Sequence, residues 1–227
     1  PTTSAATLTT LTWEGGDSQA VEEMEYGYPE RVRIQGSPGD ALMMSADFVG
    51  RQVSTSSFTK SLSLDAVEEI VFSKGALYID DVTGTIGGSE VSSTLLGVDI
   101  DYGTGIVAKR AANGKLYFDF VTQTGPDITV QLTYEHNASA VTEKAAWRAE
   151  TPRQIRLQWT GSTLTTAGSY SVKTFTLDMA GKYESFEAID EMDGNDIVRC
   201  TFRPAYNEDA ELFFEAVVVN EDELLFT

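Results

Sequence analysis

Ile128-Thr129-Val130-Gln131-Leu132-Thr133-Tyr134, followed closely by Ser139-Ala140-Val141-Thr142-Glu143-Lys144-Ala145-Ala146-Trp147-Arg148-Ala149-Glu150, decides how this chain is read. In the first segment an apolar residue stands at every second position, the period of a strand that buries one face. The second is the only segment long and alanine-rich enough to form a helix. Asn137 or Ser139 can cap its amino end, and Glu143 sits in its early turns, where the helix dipole favours a carboxylate. Thr151-Pro152 stops it, because proline disfavours the helical region at the residue before it. At about 100° per residue, Ala138, Val141, Ala145, Ala146 and Ala149 form a stripe of small residues expected to lie against a sheet. Trp147 points away from that stripe, which leaves it half-buried under a neighbouring loop or held for a partner subunit.

Outward from this centre the chain reads as strands. Residues 1–25 have weak periodicity and fit an edge strand or amino-terminal arm. Val32 and Ile34 alternate with arginines, Gly36-Ser37-Pro38-Gly39-Asp40 turns the chain, and Leu42, Met44, Ala46 and Phe48 share one face of a second strand, giving a long hairpin. Residues 54–63 are rich in Ser and Thr around Phe58 and predict an extended arm able to reach a neighbour. Strands are expected at 67–72 and 76–80, with a loop at 84–88. At 96–102, Val98 and Ile100 alternate with Asp99 and Asp101, so both carboxylates project from one face. Asn113-Gly114 predicts a tight type I′ turn. Ile155, Leu157 and Trp159 alternate after the helix. Further strands are expected at 170–179, 183–189 and 197–203, with an acidic turn at 190–196 whose oxygens suit calcium but lack EF-hand spacing. The last strand, 211–220, is apolar on both faces, which predicts cover on each side. With no repeat and no linker, the economical reading is one all-β domain over 1–227 with one α-helix at 139–150.

Composition narrows the function. Asp and Glu number 35 against 16 Lys and Arg, a net charge of -19 that repels phosphate and disfavours unassisted binding to nucleic acid or anionic membrane. The single Cys200 excludes an intrachain disulfide and reads as a small buried hydrophobe. The single His136, at the end of a strand, reads as an ordinary polar residue and leaves little room for histidine triads or zinc sites. No phosphate-binding loop or nucleophile elbow is present, and Gly103-Thr104-Gly105 is only a fragment of a glycine fingerprint. Asn137-Ala138-Ser139 matches a glycosylation sequon without a secretory signal beside it. The pairs Asp99/Asp101 and Glu68/Glu69 do not stand out in so acidic a chain, so no enzyme, cofactor or metal is expected. No run is apolar enough for a membrane-spanning helix. The chain begins at Pro1, which predicts that amino-terminal sequence precedes it.

Several phrases, in order, carry a resemblance: Tyr28-Pro29-Glu30-Arg31-Val32-Arg33-Ile34 through the turn to Ala46-Asp47-Phe48-Val49-Gly50-Arg51; Gly75-Ala76-Leu77-Tyr78-Ile79-Asp80; the helix followed by Arg153-Gln154-Ile155-Arg156-Leu157; and Tyr183-Glu184-Ser185-Phe186 through to Val219-Asn220. In this layout the chain resembles the tail tube (major tail) proteins of long-tailed bacteriophages and prophages. The resemblance implies a β-sandwich or barrel whose sheets, from six subunits, join into the inner wall of a ring. One helix lies outside, and a long hairpin or loop contacts the next ring. It implies a structural protein of the virion tail, made in the host cytoplasm. Its partners would be further copies of itself and other tail proteins, with DNA passing through unbound. Asp99 and Asp101 are then candidates for the lumen face, and Phe58, Leu42, Met44 and Trp147 for subunit contacts. The rival reading is a secreted or surface β-sandwich that binds carbohydrate on Trp13, Trp147 or Trp159. A hydrolase built on paired carboxylates is a third reading.

Overall fold

The computed structural model describes residues 8–60 and 67–221. Its strands are β1 (Leu11–Gly16), β2 (Val21–Gly36), β3 (Met43–Val49), β4 (Gln52–Thr55), β5 (Gly75–Asp81), β6 (Leu95–Gly103), β7 (Ile106–Lys109), β8 (Phe120–Gln123) and β9 (Asp127–Glu135). After helix α1 (Ala138–Arg148) come β10 (Arg153–Thr163), β11 (Val172–Phe186), β12 (Asp190–Met192), β13 (Asn195–Pro204) and β14 (Phe214–Val219). The protein is all-β with one α-helix among the described residues. Its chain divides into two compact units, one of Pro1–Arg33, Met44–Val67 and Asp101–Ile128, the other of Ile34–Met43, Glu68–Ile100 and Thr129–Thr227.

In the second unit the strands lie in the order β6, β9, β13, β11, β10, β5. Alternation decides which face each buries. Val130, Leu132 and Tyr134 of β9 face Phe202, Cys200 and Val198 of β13 in antiparallel register, and all six are 0–2% exposed. Ile155, Leu157 and Trp159 of β10 pair with Met179, Leu177 and Phe175 of β11 on one side and with Ile79, Leu77 and Gly75 of β5 on the other. Gly75 is required there: a Cβ at this position would sit 2.5 Å from the Trp159 indole nitrogen. Burial of these side chains, at roughly 25 cal/mol per Å² of apolar surface, is the main force holding the unit together. On the opposite face of the same strands Arg156 donates two hydrogen bonds to the buried Asp178, at 2.7 and 2.6 Å, and Gln158 reaches Thr176.

The first unit is built on β2, with β1 paired antiparallel along it from Val21 to Gly27 and β4 along Glu22–Glu25. Arg51 ties its loops by donating to the carbonyls of Phe118 and Asp119 at 3.0 and 2.9 Å, and it lies over the Tyr26 and Tyr117 rings. β7 and β8 form a separate two-stranded sheet.

Several sequence expectations are corrected. Residues 67–71 make only an isolated bridge, Ala41 with Val71, before a 3-10 turn at Phe72–Lys74. Residues 52–55, expected in part as the start of a free arm, pair with β2; 61–63 of that arm lie outside the described residues. Asn113-Gly114 does not close a two-residue hairpin. Only Gly114 has positive φ, and residues 110–119 form a wide loop held by the Asp119 carboxylate, which accepts from Ala111 N–H and the Asn113 amide. The strands expected at 170–179 and 183–189 are one strand, β11. Residues 190–196 instead fold as the β12–β13 hairpin, because Asp193 and Gly194 both take positive φ, 53° and 83°, as a type I′ turn requires. β14 is not covered on both faces: Val218 is 65% exposed. In β3 the expected apolar face is absent, since Met44 is as open as Met43 and only Leu42 and Phe48 are half-buried.

Candidate functional site

Helix α1 starts where the Asn137 side chain accepts the Ala140 N–H at 3.1 Å, with its own amide bonded to Thr94 Oγ1 at 2.9 Å. It ends where Glu150 takes positive φ and Thr151 N–H returns to the Ala146 carbonyl. The buried residues are Ala140, Glu143 and Ala146, whereas Ala138, Val141, Ala145 and Ala149 are exposed, so four of the five residues of the small-residue stripe face outward and Ala146 packs inward. Two polar anchors fix this orientation. Glu143 accepts from Arg153 Nε at 3.1 Å, and the Trp147 indole N–H donates to the Glu184 carbonyl of β11 at 3.1 Å, its ring packed on Phe186. Arg153 also pairs with Asp81.

Beneath the helix the hydroxyls of Tyr134 and Tyr183 lie 3.2 Å apart. Burial pushes both phenols well above the usual tyrosine range. Burial also raises the Glu143 carboxyl, with Arg153 and the Tyr183 hydroxyl opposing that shift. Cys200 is buried with its thiol pushed up by desolvation, and it donates to the Leu132 carbonyl. Such groups hold a core together; none is an exposed nucleophile or a base facing a cleft.

Asp99 and Asp101 project from the face of β6 opposite the buried Val98 and Ile100, as their alternation predicts. Each is answered from β2. In the first unit Arg31 grips Asp101 through both guanidinium arms. In the second unit Gln35 donates to Asp99 at 3.1 Å. Arginines on the outward faces of other strands are also engaged: Arg199 pairs with Asp190 at 2.6 Å, and Arg203 with Glu184 at 3.1 Å while also donating to Thr129. Gln131, Thr133 and Thr201 lie between them on the same outward side of β9 and β13, in the register opposite the buried residues.

The remaining sequence candidates fall apart in character. Phe58 is exposed in an irregular segment next to Thr59, which donates to Glu14. Leu42 is half-buried, its N–H bonded to the Ile70 carbonyl at 2.7 Å. Met44 is 72% exposed. Trp147 is half-buried within its own chain, against a strand rather than a loop. Trp159 is 1% exposed and is no stacking platform; Trp13 remains exposed beside Phe48. Sequence reasoning missed the arginine–carboxylate pairing, because Arg31 and Asp101 stand seventy positions apart and only strand adjacency brings them together. No helix among the described residues is long and apolar enough to cross a membrane. No protein-family model matches this chain, and no curated protein matches it.

Proposed function

We propose that this chain is a tail tube subunit of a long-tailed bacteriophage or prophage, six copies forming a ring and rings stacking into the conduit through which DNA leaves the virion. The observation that carries the proposal is the outward polar face of β6, β9 and β13, where threonine and glutamine lie among arginines that are already paired with carboxylates. A conduit must pass DNA without holding it. Arginines engaged by Asp and Glu offer phosphate little counterion-release gain, and a net charge of -19 repels it within a Debye length of about 8–10 Å. The ordered phrases that resemble tail tube proteins support the same role, as do exposed apolar residues such as Met43 and Met44, which suit contact with another copy. In this proposal the subunit adopts the sandwich or barrel form of that family, with Asp99 and Asp101 on the lumen wall and the protein resident in the virion tail.

Electron microscopy of concentrated protein tests it. Rings or tubes with a central bore are expected, with Asp99 and Asp101 lining the bore in a reconstruction; assemblies without a bore, or both carboxylates on the outer surface, defeat the respective parts. The carbohydrate reading keeps Trp13 alone as a well-exposed indole and loses Trp159.

A further inference from the structure

We infer that β14 is an open docking edge for a second copy of this chain, and that the occupant is the basic loop following β7 of that copy. β14 pairs with β11 on one side, and among the described residues no strand lies on its other side. Its sequence, Glu215-Ala216-Val217-Val218-Val219, has neither proline nor lysine, the usual protections of a strand edge, and Val218 is 65% exposed. The edge strand β5 is treated differently: Ile79 N–H donates to the Ser89 carbonyl at 3.1 Å and Val91 N–H to the Leu77 carbonyl at 2.8 Å, so residues 89–91 cover it. An uncovered apolar edge beside a covered one marks where added chain is received.

Charge selects the occupant. From 205 to 221 the sequence holds no lysine or arginine, and Glu208, Asp209, Glu211 and Glu215 are all exposed, so a partner must bring positive charge. The chain carries such a segment itself. Lys109, Arg110 and Lys115 fall within seven residues, all exposed, and among the described residues only Lys115 is near an acid there, 3.6 Å from Asp119. The same loop presents Leu116, 94% exposed, as an apolar residue for a valine-lined edge. Two different surfaces that complement one another give a head-to-tail contact, which closes into a ring or runs on as a filament. Ring closure rests on the tube reading; the contact itself does not.

The test is a charge exchange on the whole chain, read by sedimentation at rising concentration and low salt. Wild type is expected to assemble and to weaken as salt screens the contact. The triple variants K109E/R110E/K115E and E208K/E211K/E215K should each assemble at least tenfold more weakly, and an equimolar mixture should recover, because each then meets its opposite charge. Val218→Lys, a single change on the edge, should likewise weaken assembly tenfold and serves if a triple variant fails to fold. A wild type that stays monomeric, a variant that assembles normally, or a mixture that does not recover overturns the inference. Bored rings that neither triple variant disturbs remove this contact and leave the tube reading standing. Charge-sensitive assemblies without a bore do the reverse.

Discussion

Strands β9, β13, β11 and β10 and the segments β3, β4 and 110–116 contain similar apolar residues and put them to opposite uses. In the first group Val130, Leu132, Tyr134, Ile155, Leu157, Leu177 and Phe202 are all 0–1% exposed. In the second, Met43, Met44, Val53 and Leu116 stand 60–94% exposed. Hydrophobicity is therefore not what distinguishes core from surface here; cover is. The first group receives its cover from paired strands and the helix of its own chain, while the second holds apolar surface for which the described residues supply none.

That difference is tested most severely by truncation. Leu157→Ala should cost about 3 kcal/mol of unfolding free energy, through lost burial and a cavity between β5 and β11, whereas Met44→Ser should change stability by less than about 0.5 kcal/mol and instead weaken assembly. Urea denaturation with sedimentation of both variants checks this; equal destabilisation would mean that the hairpin is part of the core. A smaller effect is expected at the helix, where Asn137→Ala removes the cap and its link to Thr94, at about 1 kcal/mol, measurable as a lowered melting temperature with the strands' circular dichroism retained in the native state.

The subtlest effect depends on pH. Burial raises the folded-state pKa of Glu143 above its unfolded value, so its linked stability is fully present below the unfolded pKa of about 4.5 and is lost as pH rises through the folded value. Wild type should therefore gain stability relative to Glu143→Gln as pH falls from 7 toward 5. Parallel denaturation curves with a constant offset at both pH values would show that Arg153 outweighs burial at this site.

How much was legible in the sequence varied with the physical cause. Val130 to Tyr134 and Ile155 to Trp159 were legible because a strand buried on one face must alternate. Asn137 was legible as one of two possible caps, and Val98 with Ile100 placed Asp99 and Asp101 on the other side. The helix face was not. A period count scores Glu143 as polar and points it to water, yet the half-buried Arg153 provides a partner that makes its burial tolerable. The strands expected at 170–179 and 183–189 leave Ala180-Gly181-Lys182 between them, whereas these residues continue β11: a Cβ on Gly181 would lie 2.1 Å from the Arg203 carbonyl oxygen, so glycine permits close approach of β13. Asp193-Gly194 carried a readable hairpin signal, which the density of acidic residues around it masked.

By itself the sequence determined that this is a β protein with one helix, acidic overall, with Cys200 buried and little provision for histidine or cysteine chemistry, since composition and two-residue periodicity can be read without knowing the fold. Only the tertiary structure decided which arginine meets which carboxylate, which side of the helix is buried, and that among the described residues β14 is left open while β5 is covered. Those outcomes depend largely on strands far apart in the chain becoming neighbours, as Arg31 and Asp101 do across seventy positions, and no short window of sequence contains both of those partners.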